Sequence, residues 1–435
     1  MKIKKQHRMR TILIAFGAFC VVGASVFVYF FMRPAPILRF SWIENYQGKN
    51  FQAVLRAYEE EMGVKTTYTR YQEEDYTEFL AKTATVPDDE KLADIVIVSP
   101  RFFKQNPDIF LPITDFIHEH NVRGTMVAQF VDAAASHPDH DSEYIGLPLM
   151  GGTTILVYRR DLFEDERHKA MFAERYGYEL AVPRLWGDMR DVAEYFTNPE
   201  QGMVGFSMPF SDHDGSLSKS LESFWYTFAE PSNKKHRSLK EILGSDNAIR
   251  TYMLIHSWAP FLSKEAITGG SVIARKDFAE GKAAMALLDS EYLILLENPA
   301  FNAHKENTGY AIVPAGEFGR TTSASGAVMG IINHDKSKEA LKFFAWFNTS
   351  RAQQIWTDAG GLSVFNRTLQ SQKFLQDKPY HPIYKDALAH TVPISPLKTN
   401  LEELTLVNTE LQDFLLNPEN HTPETSIARL LEVLQ

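Results

Sequence analysis

Three stretches far apart in the chain, Pro148 to Phe163, Phe278 to Leu288 and Gly309 to Gly316, are rich in β-branched and apolar residues and end in turn formers. Runs of this kind at long intervals serve as the crossings and the floor between two folded units, passing as strands from one into the other. Length supports two units: 435 residues with 44% apolar content exceed the size at which one core keeps growing.

A fourth run has a different meaning. From Thr11 to Met32 there is no charged residue, while Lys2, Lys4, Lys5, Arg8 and Arg10 precede it and Arg33 follows. As a helix it would reach roughly 33 Å, enough for a bilayer core, and its basic flank keeps residues 1–10 on the cytoplasmic side. The reading is an uncleaved single-pass anchor over residues 11–32 in the cell membrane, then a short linker over residues 33–36 containing Pro34 and Pro36. A cleaved signal is the alternative, with small residues at Gly23 and Ser25. About 7 to 15 apolar residues suffice for a signal, however, and this run continues through Phe27, Tyr29, Phe30 and Phe31. Lipid attachment at Cys20 is disfavoured by bulky Phe19 before it, and as Cys20 is the only cysteine no intramolecular disulfide forms. Six of the 45 Lys and Arg residues lie in residues 1–33, which hold no Asp or Glu, leaving 39 basic against 55 acidic residues, a balance of −16. That field repels phosphate backbones, so nucleic acid is excluded as a partner.

Beyond the linker, Ile37 to Trp42 reads as a strand, Gly48 to Glu61 as a helix, Lys65 to Tyr71 as a strand, Asp75 to Thr83 as a helix and Asp94 to Ser99 as a buried strand. Strands alternating with helices predict a mainly parallel sheet covered on both faces, and ligands of such sheets bind beyond the carboxyl ends of the strands. Gly151 to Tyr158 is β-rich and carries the chain into the second unit. There Asp161 to Leu180 and Asp188 to Tyr195 read as helices, Val204 to Met208 as a strand, Leu217 to Phe228 as an aromatic-rich helix, and Ala283 to Leu288 as a buried strand after a helix ending at Gly281. Tyr310 to Pro314 returns the chain to the first unit, where Gly326 to Asn333 is a strand and Lys338 to Phe347 a helix. A third crossing is expected near Gly360 to Phe365, before the helices Leu401 to Leu416 and Pro423 to Leu434.

The strand-end rule selects Trp42, Glu44 and Asn45, Ser99 and Arg101, and Asp289, Glu291 and Tyr292 as candidate ligand-binding residues; Gly151, Gly152 and Thr153 in the first crossing, Trp225 and Tyr226 on the helix after Met208, and Ser325 are candidates beside them. Some of them have a plainer reading. Trp42 fits a core position as well as a cleft wall, Trp225 and Tyr226 fit helix packing, and Arg101 fits a solvated surface arginine. Trp186 at a helix start, with Trp258, Trp346 and Trp356, reads as core.

Metal and catalytic motifs are weak. His137, Asp139, His140 and Asp141 crowd together, but Pro138 and the absence of an i, i+4 histidine pair point to an exposed turn. Ser211 to Gly215 half resembles a calcium loop and lacks the required glutamate, so no metal is assigned. Ser216 and Lys219 form S-x-x-K, a pairing in which a lysine activates a serine, yet the accompanying S-D-N and K-T-G elements are missing. No G-x-S-x-G, H-E-x-x-H or P-loop occurs; no cofactor and no enzymatic activity are expected.

Several pieces in fixed order, IGLPLMGGTTILVYRRDLF (Ile145 to Phe163), VPRLWGDMRDVAEYF (Val182 to Phe196), FAEGKAAMALL (Phe278 to Leu288), GYAIVPAG (Gly309 to Gly316) and KSKEALKFFAWFNTSRAQQIW (Lys336 to Trp356), resemble the extracellular solute-binding proteins of family 1, the maltose-binding type that serves ABC importers. The resemblance implies a periplasmic-binding-protein-like fold of type II: two α/β lobes joined by a multi-segment hinge, here after the N-terminal transmembrane helix. Residues 37–148 with 315–360 would form lobe 1, and residues 149–314 with 361–435 lobe 2. It further implies a monomer outside the cytoplasm that captures a small solute, a mono- or oligosaccharide, between its lobes and hands it to permease subunits. Two departures from the family pattern stand out: Gly151, Gly152 and Thr153 where sugar binders often carry an acid, and Asp289, Ser290, Glu291 and Tyr292 where they often carry a Trp. They leave open an extracytoplasmic sensor or scaffold with a non-sugar or lost ligand.

Overall fold

The computed structural model describes residues 37–83, 85–140, 142–210, 223–228, 239–392 and 401–434. The run Thr11 to Met32, read as an anchor, and the pair Ser216 and Lys219 lie outside them. Among the described residues no helix is long and apolar enough to cross a membrane.

Two sheets organise the chain. The strands are β1 (Ile37–Ile43), β2 (Lys65–Tyr71), β3 (Ile95–Val98), β4 (Leu147–Gly152), β5 (Thr154–Arg159), β6 (Val204–Ser207), β7 (Ala283–Asp289), β8 (Thr308–Ile312), β9 (Thr322–Ser323), β10 (Ser325–Ile331) and β11 (Thr391–Val392). The first sheet has the order β2-β1-β3-β10-β4, the second β6-β7-β5-β8, and β11 pairs with β9 beside them. All four residues of β3 are buried, as a central strand covered on both faces requires, whereas β2 at the edge alternates exposed and half-buried residues.

Neither sheet is uniformly parallel. β1 runs parallel to β2 and β3, but β10 is antiparallel to both β3 and β4. In the second sheet β6 and β7 are parallel, and β5 is antiparallel to β7 and β8. The reversed strands follow from the crossings. β5 enters through the single residue Thr153, with no helix to carry the chain back to the start of the sheet, so it runs against its neighbours. β10 does the same on the way back after β8.

Alternation along β5 divides the packing of the second sheet. Ile155 and Val157 face one way and share a core with Met150 of the first sheet and with Tyr384 and Leu388. Leu156 faces the other way and belongs to a second core that includes Trp186, Trp258 and Phe414. One continuous apolar cluster therefore passes from the first lobe across the crossing into the second.

Helices follow the expected segments with local breaks. Helix α1 (Tyr46–Met62) buries Phe51, Val54, Leu55 and Tyr58 on its inner stripe; the Asn45 carboxamide accepts the Gly48 N–H at 2.6 Å at its start, and Gly63 at φ 65° closes it. The single helix expected from Asp161 to Leu180 is two, Arg160–Glu164 and α2 (Glu166–Tyr176), because the Asp165 carboxylate accepts the Arg167 N–H at 2.8 Å and starts a new helix. Helix α3 (Lys264–Ala279) is broken at Gly270, φ 67°; from helix α4 (Leu401–Leu416) the Gln412 amide donates to the carbonyl of Ile267, in the turn before that break, and to that of Phe210. The segment Gly360 to Phe365 lies against the first lobe, with Gly151 N–H donating to Leu362 O and Val127 N–H to Val364 O. After it β11 pairs in register with β9, Thr391 opposite Thr322, on the second crossing.

Candidate functional site

The strand registers place the carboxyl ends of both sheets along one line. Gly152, the last residue of β4, lies opposite Ser325, the first of β10; Thr154, the first of β5, lies opposite Asp289, the last of β7; and Ile155 lies opposite Ile312, the last of β8. Thr153 joins the two sheets at that line. Residues just past β1, β3 and β7 therefore gather around the crossing, where a solute would touch both lobes.

At the crossing itself the polar groups are already paired. Thr153 is fully buried: its N–H donates to Ser290 Oγ at 3.2 Å, its carbonyl accepts the Ser290 N–H at 2.9 Å, and its hydroxyl lies 3.3 Å from Thr322 Oγ1, which also takes the Thr154 N–H at 2.9 Å. A Cβ at Gly151 would lie 2.4 Å from Tyr384 Oη, and one at Gly152 would lie 2.3 Å from Ser325 Oγ and 2.4 Å from the Gly326 nitrogen. There is no space for the acid that sugar binders often place here. Ser325 is buried in the same contact.

The other sequence-selected residues divide between packing and the strand ends. Trp42 is 3% exposed and packs edge-on against Phe51 at 6.1 Å, the core position. Glu44 pairs with Arg70 at 3.2 Å and Lys49 at 3.3 Å, and Asn45 is the cap of α1. Ser99 is exposed and accepts the Phe102 N–H at 3.3 Å, while half-buried Arg101 keeps its Nη2 buried without a hydrogen-bond partner. Trp225 and Tyr226 pack on each other at 4.9 Å in a small cluster with Ile242, and the Trp225 N–H donates to Ser245 Oγ at 3.2 Å. Asp289, Glu291 and Tyr292 sit half-buried at the end of β7.

Residues the sequence reading passed over lie one step further on. Tyr46, 48% exposed, opens α1, and Gln47 beside it is 3% exposed with neither amide atom hydrogen-bonded. Asn50 Nδ2 and Tyr68 Oη are buried without partners as well. Burial pushes the Tyr68 phenol up, with Arg70 opposing and Glu44 adding to the shift. At the carboxyl end of β2, Tyr71 stacks on Phe79 at 4.6 Å and on Tyr76 at 5.6 Å, an aromatic ladder whose outer ring is half-buried. The signal for Gln47 was present: an amide residue four before Phe51, on the inward stripe of an amphipathic helix.

Of the histidine-rich segment His137 to Asp141, Asp141 lies outside the described residues. His137 Nδ1 accepts the Asp139 N–H at 3.1 Å, and among the described residues no group of three or more metal-ligating side chains converges.

The sequence profile of the family described as bacterial extracellular solute-binding protein matches residues 44–354. Among solved structures, maltose-bound MalE3 of T. maritima superposes with a TM-score of 0.70 at 17% identity, covering 92% of this chain and 99% of that one. The ABC transporter solute-binding protein of Agrobacterium radiobacter K84 in complex with ribitol gives 0.70 at 14% identity, covering 92% and 98%. The sugar-binding protein MalE of Xanthomonas citri gives 0.71 at 13% identity, covering 91% and 95%. No curated protein matches the chain in sequence.

Proposed function

The chain belongs to the bacterial extracellular solute-binding protein family, and from that membership we propose that it captures a mono- or oligosaccharide between its two lobes and delivers it to the permease subunits of an ABC importer. The observation that carries this reading is the convergence of both sheets' carboxyl ends on Thr153. A solute seated between the strand ends on either side of that residue contacts both lobes at once. It favours the closed arrangement by the difference in its affinity for closed and open forms, and a permease reads that difference.

Sugar chemistry suits the strand ends. Ring hydroxyls ask for planar groups such as Glu44, Asn45, Arg101, Asp289 and Glu291, and the C–H faces ask for rings such as Tyr292 and Tyr71. In this reading the protein works as a monomer outside the cytoplasm, held by the segment Thr11 to Met32, and performs no catalysis. Isothermal titration of the full chain against a carbohydrate panel tests it: saturable heat with one member is expected, and a flat response to all would refute sugar capture.

One observation favours a second reading. Gly151 and Gly152 have no room for the acid usual in sugar binders, which suits an extracytoplasmic sensor or scaffold with a non-sugar ligand. Neighbouring genes separate the two: paired permease genes support import, and an adjacent kinase gene supports sensing.

A further inference from the structure

The end of the first sheet where β1 starts is the end opposite to the line of strand ends at the crossing. Ile37 opens β1 and pairs with Lys65, the first residue of β2, and Met62 closes α1 three residues before Lys65. Leu92 lies two residues ahead of Asp94, whose N–H donates to the Arg39 carbonyl at 2.9 Å; Ile37 lies two residues ahead of Arg39, which places the two side by side at this end. Ile37 is 46% exposed, Met62 47% and Leu92 68%. They are three of the four exposed large apolar side chains among the described residues of 37–148, and the fourth, Tyr46, follows the carboxyl end of β1. Scattered singly, such residues need no explanation; three gathered at one end of one sheet mark a surface. The loop that displays Leu92 is held in place: Lys91 Nζ donates to Asp88 Oδ1 at 2.6 Å and to the Ile332 carbonyl at 2.5 Å, and the Arg39 guanidinium donates to the Lys91 carbonyl.

Resting on the reading of Thr11 to Met32 as an anchor, we propose that this end of the first lobe is a membrane-contact surface: Ile37, Met62 and Leu92 rest at the headgroup level of the bilayer, and the cleft looks away from it. Chain length selects the occupant. Only residues 33–36 separate Met32 from β1, and four residues reach at most about 14 Å. The surface held within that reach is the lipid. From there β1 leads away from the membrane for seven residues, about 23 Å, to the strand ends. A permease or sensor that reads closure of the cleft must rise that far above the bilayer. Charge selects the kind of contact. Exposed Glu60, Asp89 and Glu90 stand beside exposed Lys65 at this end, a mixture that gives anionic headgroups no hold, so the contact is made by apolar side chains at a zwitterionic interface.

The test uses the full chain reconstituted in phosphatidylcholine vesicles whose headgroups carry a quencher. Cys20→Ser removes the only cysteine. Lys65→Cys or Ser99→Cys then takes a membrane-impermeant fluorescent label, added from outside, at one or the other end of the first sheet, both positions being exposed. Quenching at position 65 is expected to exceed that at position 99 severalfold; equal quenching, or the reverse, overturns the proposal. Met62→Glu combined with Leu92→Glu should cut the quenching at position 65 severalfold, while melting in detergent stays at the wild-type value because both side chains are exposed. Unchanged quenching in that variant means that the tether alone sets the distance, and it overturns the contact surface. Should the double variant melt lower, Leu92→Ser alone decides by the same two outcomes. A chain that is dimeric in detergent and shows no contrast between positions 65 and 99 has a second copy on this face, which equally overturns the proposal. Alkaline washing distinguishes these failures from loss of the anchor: a chain that washes off the vesicles has no anchor, and the proposal falls with it. Solute capture is read separately, by titration calorimetry on the same protein, and stands or falls on its own.

Discussion

The crossing at Thr153 and the first turn of α1 lie on the same line of strand ends and use their polar atoms in opposite ways. At the crossing, the amide, carbonyl and hydroxyl of Thr153 are all engaged, and the glycines beside it sit closer to their neighbours than any side chain allows. In the first two turns of α1 and on β2, four buried polar atoms, two of Gln47 and one each of Asn50 and Tyr68, are without a hydrogen-bond partner. The contrast is between a junction of the two sheets whose polar groups are satisfied and a helix start where buried polar groups are not. Fully paired groups fix a single arrangement; unpaired ones are stabilised by whatever fills them.

The sharpest way to break this comparison is to put bulk at the crossing. Gly152→Val places atoms where Ser325 Oγ and the Gly326 nitrogen already lie within 2.4 Å of a Cβ, and should destabilise the protein by about 3 kcal/mol or more in urea unfolding. A variant as stable as wild type would mean that the crossing is loosely packed. Gln47→Leu comes next, with the opposite sign. It removes two buried polar atoms that have no partner and should gain about 1 kcal/mol or more of ligand-free stability in the same assay.

Thr322→Val should cost about 1 kcal/mol in the same unfolding assay, since it removes the acceptor of the Thr154 N–H at the crossing. The smallest effect is expected at a residue whose partners, Ser136 and Asp132, belong to neither region, and serves as a control. Lys104 is buried, with Nζ 2.8 Å from Ser136 Oγ, and burial pushes its pKa down to about 8, with Asp132 opposing. The folded pKa lies below that of the unfolded chain, so the unfolded state binds more protons from about pH 8 to the ordinary lysine value near 10, and Lys104 makes stability rise with pH across that window. Lys104→Met should flatten that rise in melting curves taken at several pH values while leaving ligand affinity unchanged.

Much of the architecture was legible in the residues. Apolar alternation located β1, the continuous apolar runs located β3 and β7, and the inward stripe of Phe51, Val54, Leu55 and Tyr58 located α1. The strand-end rule named Glu44, Asn45, Ser99 and Asp289, which follow or end β1, β3 and β7. It did not separate Asn45, which caps α1, from Gln47, two residues on, whose amide has no partner. Nor did it decide between the core and cleft readings of Trp42, which packs on Phe51. Spacing along a strand or helix specifies a direction, and the neighbour met in that direction comes from another part of the chain.

The sequence alone determined which segments are strands and helices and that the chain forms two lobes, because hydrophobic period, caps and turn residues act over a few neighbours. Tertiary structure decided that β5 and β10 run against their sheets, that Tyr384 and Ser325 fill the space beside Gly151 and Gly152, and that the Gln47 amide has no partner. Each of those outcomes depends on contacts between residues more than a hundred positions apart or on the lack of one. Such contacts are fixed only when the two sheets close on each other.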